Sequence, residues 1–211
     1  MISVAGVEIP LATGQIAINL SGGADSSLLL YILMLHVKDP IWAFTCVPNS
    51  GQNGHATISA TVIDRCVELT NNINVHHHTW YQQESNDPVL LWSVESSIMK
   101  KLDIKTMYIG TTSNPPDDIE NKFVARTEDP IHLDDRDPNR QRSVINDNGI
   151  RQFIRPFTNI DKVKIAEMYR ELDLIDTLLP LTRSCRALTF RTVHEPCGIC
   201  WSCKEREWGF R

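Results

Sequence analysis

Residues 16–27 read Ile16-Ala17-Ile18-Asn19-Leu20-Ser21-Gly22-Gly23-Ala24-Asp25-Ser26-Ser27, and Leu28-Leu29-Leu30-Tyr31-Ile32-Leu33 follows at once. A short apolar run breaks at two glycines and resumes as a longer apolar run, the pattern of a strand, a tight turn and a helix. Adjacent glycines let the backbone turn sharply and leave its N–H groups uncovered. Ser21, Ser26 and Ser27 add hydroxyls at a helix N-terminus, where the helix dipole favours an anion. The turn is suited to phosphate, yet it is neither of two common phosphate loops. It has no Lys next to Ser or Thr at its end, as a Walker-type loop has, and no three spaced glycines, as a dinucleotide fingerprint has.

Outward from this turn, apolar periodicity predicts strand 16–20, helix 26–37, strand 41–47, helix 55–71, strand 74–80, helix 88–102 and strand 106–110. Turn signals stand between them at Asp39-Pro40, Asn49-Ser50-Gly51, Asn71-Asn72 and Asp87-Pro88. Such alternation implies right-handed crossovers and a doubly wound α/β domain on a parallel sheet. Ligands of such sheets bind beyond the carboxyl ends of the strands, where Ser21–Ser27 and Gly110–Ser113 are both expected to emerge. The alternation stops at Thr111–Ile150, a stretch rich in Asp, Asn, Pro and Arg that reads as a functional lid or a disordered loop.

The chain has 211 residues, 42% of them hydrophobic, enough for one large core or one domain with a small appendage. A net charge of −5 argues against broad, sequence-independent nucleic-acid binding, although Lys204–Arg211 is locally basic. No apolar run approaches the ~18 residues of a membrane span, and Met1-Ile2-Ser3-Val4 lacks the basic start of a secretory signal. A soluble, cytoplasmic protein is expected. Cys46 and Cys66 fall in apolar runs and read as inert core thiols. Cys185, Cys197, Cys200 and Cys203 give one early ligand, a loop, and two Cys-x-x-Cys steps that share Cys200. That set can complete the closed tetrahedral shell of structural Zn²⁺; an iron–sulfur cluster uses similarly compact spacing and is the main rival.

Ser21-Gly22-Gly23-x-Asp25-Ser26 resembles the PP-loop of the N-type ATP pyrophosphatases, whose adenine nucleotide alpha hydrolase-like fold cleaves ATP between the α and β phosphates. The resemblance implies that Ser21, Gly22, Gly23, Asp25, Ser26 and Ser27 grip ATP and that Asp25 helps to hold Mg²⁺. Thr182-Arg183-Ser184-Cys185 and Cys197-Gly198-Ile199-Cys200-Trp201-Ser202-Cys203, with Lys204-Glu205-Arg206 after them, resemble the C-terminus of the 7-cyano-7-deazaguanine synthase family of queuosine biosynthesis. Arg155-Pro156-Phe157-x-x-Ile160-Asp161-Lys162-x-x-Ile165 resembles that family's element with a phosphate-contacting lysine, which makes Lys162 that residue; a solvated lysine early in an amphipathic helix is the plainer reading.

The implied organisation is a nucleotide-binding domain over 1–180 and a small zinc module over 181–211. The implied chemistry joins ATP, Mg²⁺, ammonia and a 7-deazaguanine-type carboxylic acid, with Asp25 and Lys162 as catalytic residues and Zn²⁺ on Cys185, Cys197, Cys200 and Cys203. A homodimer stays open as the assembly. The pattern departs from the family at Thr111–Glu120, where the cysteine and the aromatics of the family's aromatic, proline and Asp-Cys stretch against the acid are missing. A tRNA- or nucleotide-modifying relative with sulfur or amide transfer, and a non-catalytic ATP-binding homologue, therefore remain alternatives.

Other residues take plainer readings. His76-His77-His78 alternate faces if they lie on a strand, so the tract reads as solvated imidazoles at a strand end. His194 could stand in for one cysteine ligand. Trp42, Trp80 and Trp92 read as core. Arg136, Arg140, Arg142 and Arg151 read as a mutually neutralised surface, with an anion-binding lid over ATP as the sharper alternative.

Overall fold

The computed structural model describes residues 1–47, 54–81, 88–120, 142–146, 151–185 and 195–211. Two short antiparallel strands open the chain, β1 (Ile2–Val4) and β2 (Val7–Ile9). Strand and helix then alternate as β3 (Ile16–Asn19), α1 (Ala24–His36), β4 (Ile41–Val47), α2 (Gly54–Thr70), β5 (Val75–Tyr81), α3 (Pro88–Lys101) and β6 (Thr106–Ile109). These elements fall within a few residues of the expected bounds, the usual uncertainty at element ends.

A single turn, α4 (Asp117–Glu120), and a pair of strands not anticipated from the sequence come next: β7 (Ser143–Asn146) and β8 (Arg151–Ile154). The stretch expected to be wholly lid or loop, Thr111–Ile150, thus supplies one strand of the sheet, β7, and β8 follows directly after it. The parts of that stretch holding Arg136 and Arg140 lie outside the described residues. Arg142 is no free surface charge: its Nη2 donates to Glu8 O (2.5 Å) and Pro156 O (2.7 Å). The chain ends with α5 (Lys162–Glu171), a 3-10 turn (Leu179–Leu181) and α6 (Trp201–Gly209).

The main sheet has the order β5-β4-β3-β6-β8-β7. Five strands are parallel, and β7 runs antiparallel to β8 at the edge. From β3 the chain winds outward to β4 and β5, then returns to place β6 on the other side of β3. The strand order therefore reverses beside the carboxyl end of β3, where an open α/β sheet forms its binding crevice.

Successive β3 residues face opposite layers. Ile16 and Ile18 join Leu28, Leu29 and Leu33 of α1, Ile58 and Val62 of α2, and Ile165 and Tyr169 of α5 in the larger core. Ala17 joins Phe44, Met107, Phe153 and Met99 of α3 in the smaller one. Burial on both faces explains why β3 reads as a continuous apolar run rather than an alternating one.

Cys66 is fully buried, and burial pushes its thiol up to about 12. Cys46 is half-buried and also pushed up to about 12, by desolvation and then by the nearby Glu95. The three histidines lie along β5: His76 stacks on Trp42 at 4.5 Å, His78 meets Phe44 edge-on at 6.0 Å, and His77 Nε2 is 2.9 Å from Thr45 Oγ1. No helix among the described residues is long and apolar enough to cross a membrane.

Candidate nucleotide site and metal centre

The turn from β3 into α1 is closed by its own hydroxyls. Ser26 Oγ accepts the Ser21 N–H (3.3 Å), lies 3.0 Å from Ser21 Oγ and donates to Gly23 O (3.4 Å). The Gly23 N–H donates to Ser21 Oγ (3.3 Å), and α1 starts with the Ser27 N–H on Gly23 O (3.1 Å). Gly22 has φ +75°, and a Cβ there would lie 2.6 Å from Ile58 Cγ2, so both conformation and space require glycine. From the other side, Thr45 Oγ1 and Ser59 Oγ donate to Leu20 O (2.9 and 3.2 Å), and His55 Nδ1 lies 3.3 Å from Ser21 O. Burial lowers the pKa of the His55 imidazole below its ordinary value.

α5 delivers the lysine. Asp161 caps this helix, its Oδ1 accepting from the Val163 and Lys164 N–H groups (2.9 and 3.2 Å), and so fixes Lys162 as the first helical residue. Lys162 is only 3% exposed, and its Nζ donates to Asp25 Oδ1 and Oδ2 at 2.6 and 2.5 Å. The plainer reading of a solvated lysine is therefore excluded. Glu205 Oε2 lies 3.8 Å from the same Nζ, and Tyr169 Oη donates to Ala24 O (2.8 Å), tying α5 to the head of α1. The Asp25 side chain is 19% exposed, so this pair has one face towards solvent. A carboxylate and an ammonium beside a helix N-terminus can together accommodate a phosphate and its divalent counter-ion.

Ser21, Gly22, Gly23, Asp25, Ser26 and Lys162 converge here. Ser27 does not join them on the open side: it is fully buried, and its Oγ has no hydrogen-bond partner among the described residues. The Gly110–Ser113 segment does reach the crevice. A Cβ on Gly110 would lie 2.9 Å from the Ser26 N and Cα, and the Ser113 N–H donates to Ile160 O (2.8 Å), just before the capped helix.

The four cysteines form a second centre. The Sγ atoms of Cys185, Cys197, Cys200 and Cys203 all lie within 4.8 Å of one another, with Cys197 and Cys203 at 3.9 Å. Tetrahedral thiolates about 2.3 Å from one ion stand roughly 3.8 Å apart, so this donor set fits a single ion. Backbone donors support the sulfurs: Cys197 N–H on Cys185 Sγ (3.5 Å) and Cys200 N–H on Cys197 Sγ (3.4 Å). Burial alone would raise the Cys197 thiol, but the Cys200 and Ile199 N–H groups and the Cys185 and Cys200 thiols outweigh it and bring it down to about 6. Cys203 is pushed upward by desolvation and by its Cys200 neighbour. His194 lies outside the described residues.

The two centres adjoin, through contacts that no local pattern in the sequence names. The Arg183 N–H, two residues before Cys185, donates to Gly22 O at 2.9 Å. Arg206 donates to Thr182 O (3.0 Å), Thr182 Oγ1 (2.8 Å) and Leu179 O (2.8 Å). The charged run Lys204-Glu205-Arg206 is thus partly internal. Its signal was a stripe at helical spacing, Trp201, Glu205 and Gly209, all three buried in α6.

Comparison with solved structures finds NMN synthetase from Francisella tularensis at 15% identity and a TM-score of 0.44, covering 92% of this chain and 76% of that one. It also finds the U34-tRNA thiolase NcsA from Methanococcus maripaludis with its [4Fe-4S] cluster, at 15% identity and a TM-score of 0.48, covering 92% and 71%. No curated protein sequence matches the chain. The family described as queuosine biosynthesis protein QueC matches residues 85–211, a span that begins after the glycine turn and contains Lys162 and all four clustered cysteines. With more than half of its length matched, this chain belongs to the QueC family.

Proposed function

We propose that the protein is an ATP-dependent synthase that adenylates a carboxylic acid of the 7-deazaguanine class, 7-carboxy-7-deazaguanine in the simplest case, and converts it with ammonia to the amide and then the nitrile. The observation that carries this reading is the pairing of Asp25 with Lys162 at the head of α1, in the crevice of a parallel sheet, in a chain of this family.

A carboxylate is a poor electrophile. In the proposed sequence its oxygen attacks the α-phosphorus of ATP and pyrophosphate leaves. Ammonia then attacks the acyl carbon, AMP departs with the C–O bond, and a proton is lost from nitrogen. For the nitrile, the amide oxygen attacks the α-phosphorus of a second ATP and a second pyrophosphate leaves; loss of AMP, which breaks the C–O bond, and of the two remaining N–H protons leaves the triple bond.

Within this scheme Lys162 and the N–H groups around Gly22 and Gly23 hold the departing pyrophosphate, and the closed hydroxyl network of Ser21 and Ser26 keeps them in place beforehand. Asp25 is the carboxylate open enough to reach a cation. Mg²⁺ there would neutralise phosphate charge. Cys185, Cys197, Cys200 and Cys203 would hold one Zn²⁺ in a structural role, since all four positions of the shell are taken by sulfur.

The departure at Thr111–Glu120 favours a second reading, amide or sulfur transfer to a different acid or to a nucleotide of tRNA. Purified protein incubated with ATP, Mg²⁺, ammonium and 7-carboxy-7-deazaguanine should give AMP, pyrophosphate and the masses of the amide and nitrile. Pyrophosphate without either product would favour the second reading. No pyrophosphate with any acid tried would remove the adenylating role.

A further inference from the structure

Lys162 is held from two sides. Asp25 stands on the nucleotide-loop side, and α6 stands on the other element packed against it, contributing Glu205 and Gly209. A Cβ on Gly209 would lie 2.4 Å from Lys162 Cγ, 2.6 Å from its Cβ and 2.8 Å from its carbonyl carbon, so the helix approaches Lys162 to a distance that glycine alone permits. Cys200 is the N-cap of α6, which carries Cys203 in its first turn, one turn or less from Glu205. The ligand geometry of the four-cysteine site therefore sets where Glu205 and Gly209 stand. A second link runs through Thr182–Cys185, where the Arg183 N–H holds Gly22 O and Arg206 of α6 holds Thr182.

We propose that Glu205 and Gly209 are positioning residues for Lys162, and that through them filling of the four-cysteine site and nucleotide binding at the glycine loop are coupled. The proposal rests on the reading of Asp25 and Lys162 as nucleotide ligands. Glu205 has a specific part in it. The more exposed Asp25 is the carboxylate that turns to a cation when nucleotide arrives, and Lys162, 3% exposed, then keeps Glu205, equally buried, as its counter-charge. Because α6 and the Thr182–Cys185 segment are shared by both sites, each ligand fixes elements the other needs, and thermodynamic linkage makes the effect reciprocal.

The test measures zinc release from the full-length, zinc-loaded chain to a chromogenic chelator, with and without saturating α,β-methylene-ATP and Mg²⁺, after nucleotide binding has been measured directly. Bound nucleotide should slow release at least about fivefold. Gly209→Ala should retain about one zinc per chain, melt below the wild type because of the contact with Lys162, bind the nucleotide roughly tenfold more weakly and lose the protection. Glu205→Gln should behave likewise, with partial recovery in Glu205→Asp, and it keeps the proposal open to refutation if Gly209→Ala does not fold. Equal release rates with nucleotide demonstrably bound would overturn the coupling while leaving the nucleotide site standing. Wild-type affinity in both Gly209→Ala and Glu205→Gln would overturn the positioning role. Absence of nucleotide binding by the wild-type chain would overturn the underlying reading and this proposal with it.

Discussion

Lys162 donates to both oxygens of Asp25 from 137 positions along the chain, at 2.6 and 2.5 Å, and does so from the first turn of a capped helix. Lys162→Met removes the ammonium but keeps most of the side-chain volume. Pyrophosphate release should fall at least about a hundredfold, the scale of losing one preorganised charge donor. Stability should fall by about 3 kcal/mol, because Asp25 and Glu205 both lose the ammonium they share. Adding Asp25→Asn should return part of that stability but none of the activity. Denaturant unfolding of the single and double variants checks the first statement, and a pyrophosphate assay the second.

Gly22→Ala meets two separate obstacles. The φ of +75° costs an L-residue about 1–2 kcal/mol, and the contact with Ile58 Cγ2 adds an overpacking cost of about 1–3 kcal/mol. Pairing it with Ile58→Ala should relieve the clash but not the backbone strain, so the double variant should be less destabilised than the sum of the two singles. Strict additivity in denaturant unfolding would rule out the contact as a source of the cost.

The parts of this site that were legible in the sequence are those with a local cause. The β3 turn announces itself by a glycine pair between apolar runs, and Lys162 by Asp161 just before it and the Arg155-Pro156-Phe157 turn upstream. The hairpin of β7 and β8 was not legible, because Arg151–Ile154 becomes a strand through its register with Thr106–Tyr108, a pairing that four residues in a polar stretch do not reveal. Glu205 was hidden for a different reason. Its charged neighbours suggest a solvated tail, and only its place between buried Trp201 and Gly209 shows that it turns inward.

Glu95 gives the fold a pH dependence. It is 3% exposed, its Oε1 has no hydrogen-bond partner among the described residues, and burial raises its carboxyl to about 7. The folded state thus holds this proton more tightly than the unfolded chain, where the carboxyl titrates near its ordinary 4.5. Its contribution to stability is fully present below about pH 4.5 and is lost as pH rises through about 7, a difference of roughly 3 kcal/mol. Glu95→Gln should therefore match the wild type near pH 5 and exceed its stability near pH 8. Parallel stability profiles for the two proteins between these values would refute the assignment.

Cys200→Ser separates a structural metal from cluster or sulfur-transfer chemistry. Cys200 is both a cluster thiol and the N-cap of α6, and its N–H supports Cys197 Sγ at 3.4 Å. Removing this sulfur opens the shell at the point where the helix begins. Since binding free energy at a closed thiolate site is folding free energy, the variant should lose metal, solubility and thermal stability together, with activity falling only as the folded fraction falls. Metal analysis of the wild-type chain should return about one zinc, no iron and no visible absorbance, because four sulfurs within 4.8 Å of one another are spaced for a single ion. A coloured, iron-containing protein would replace the zinc reading. A Cys200→Ser variant that is stable and metal-free yet inactive would show that the sulfur takes part in the chemistry itself.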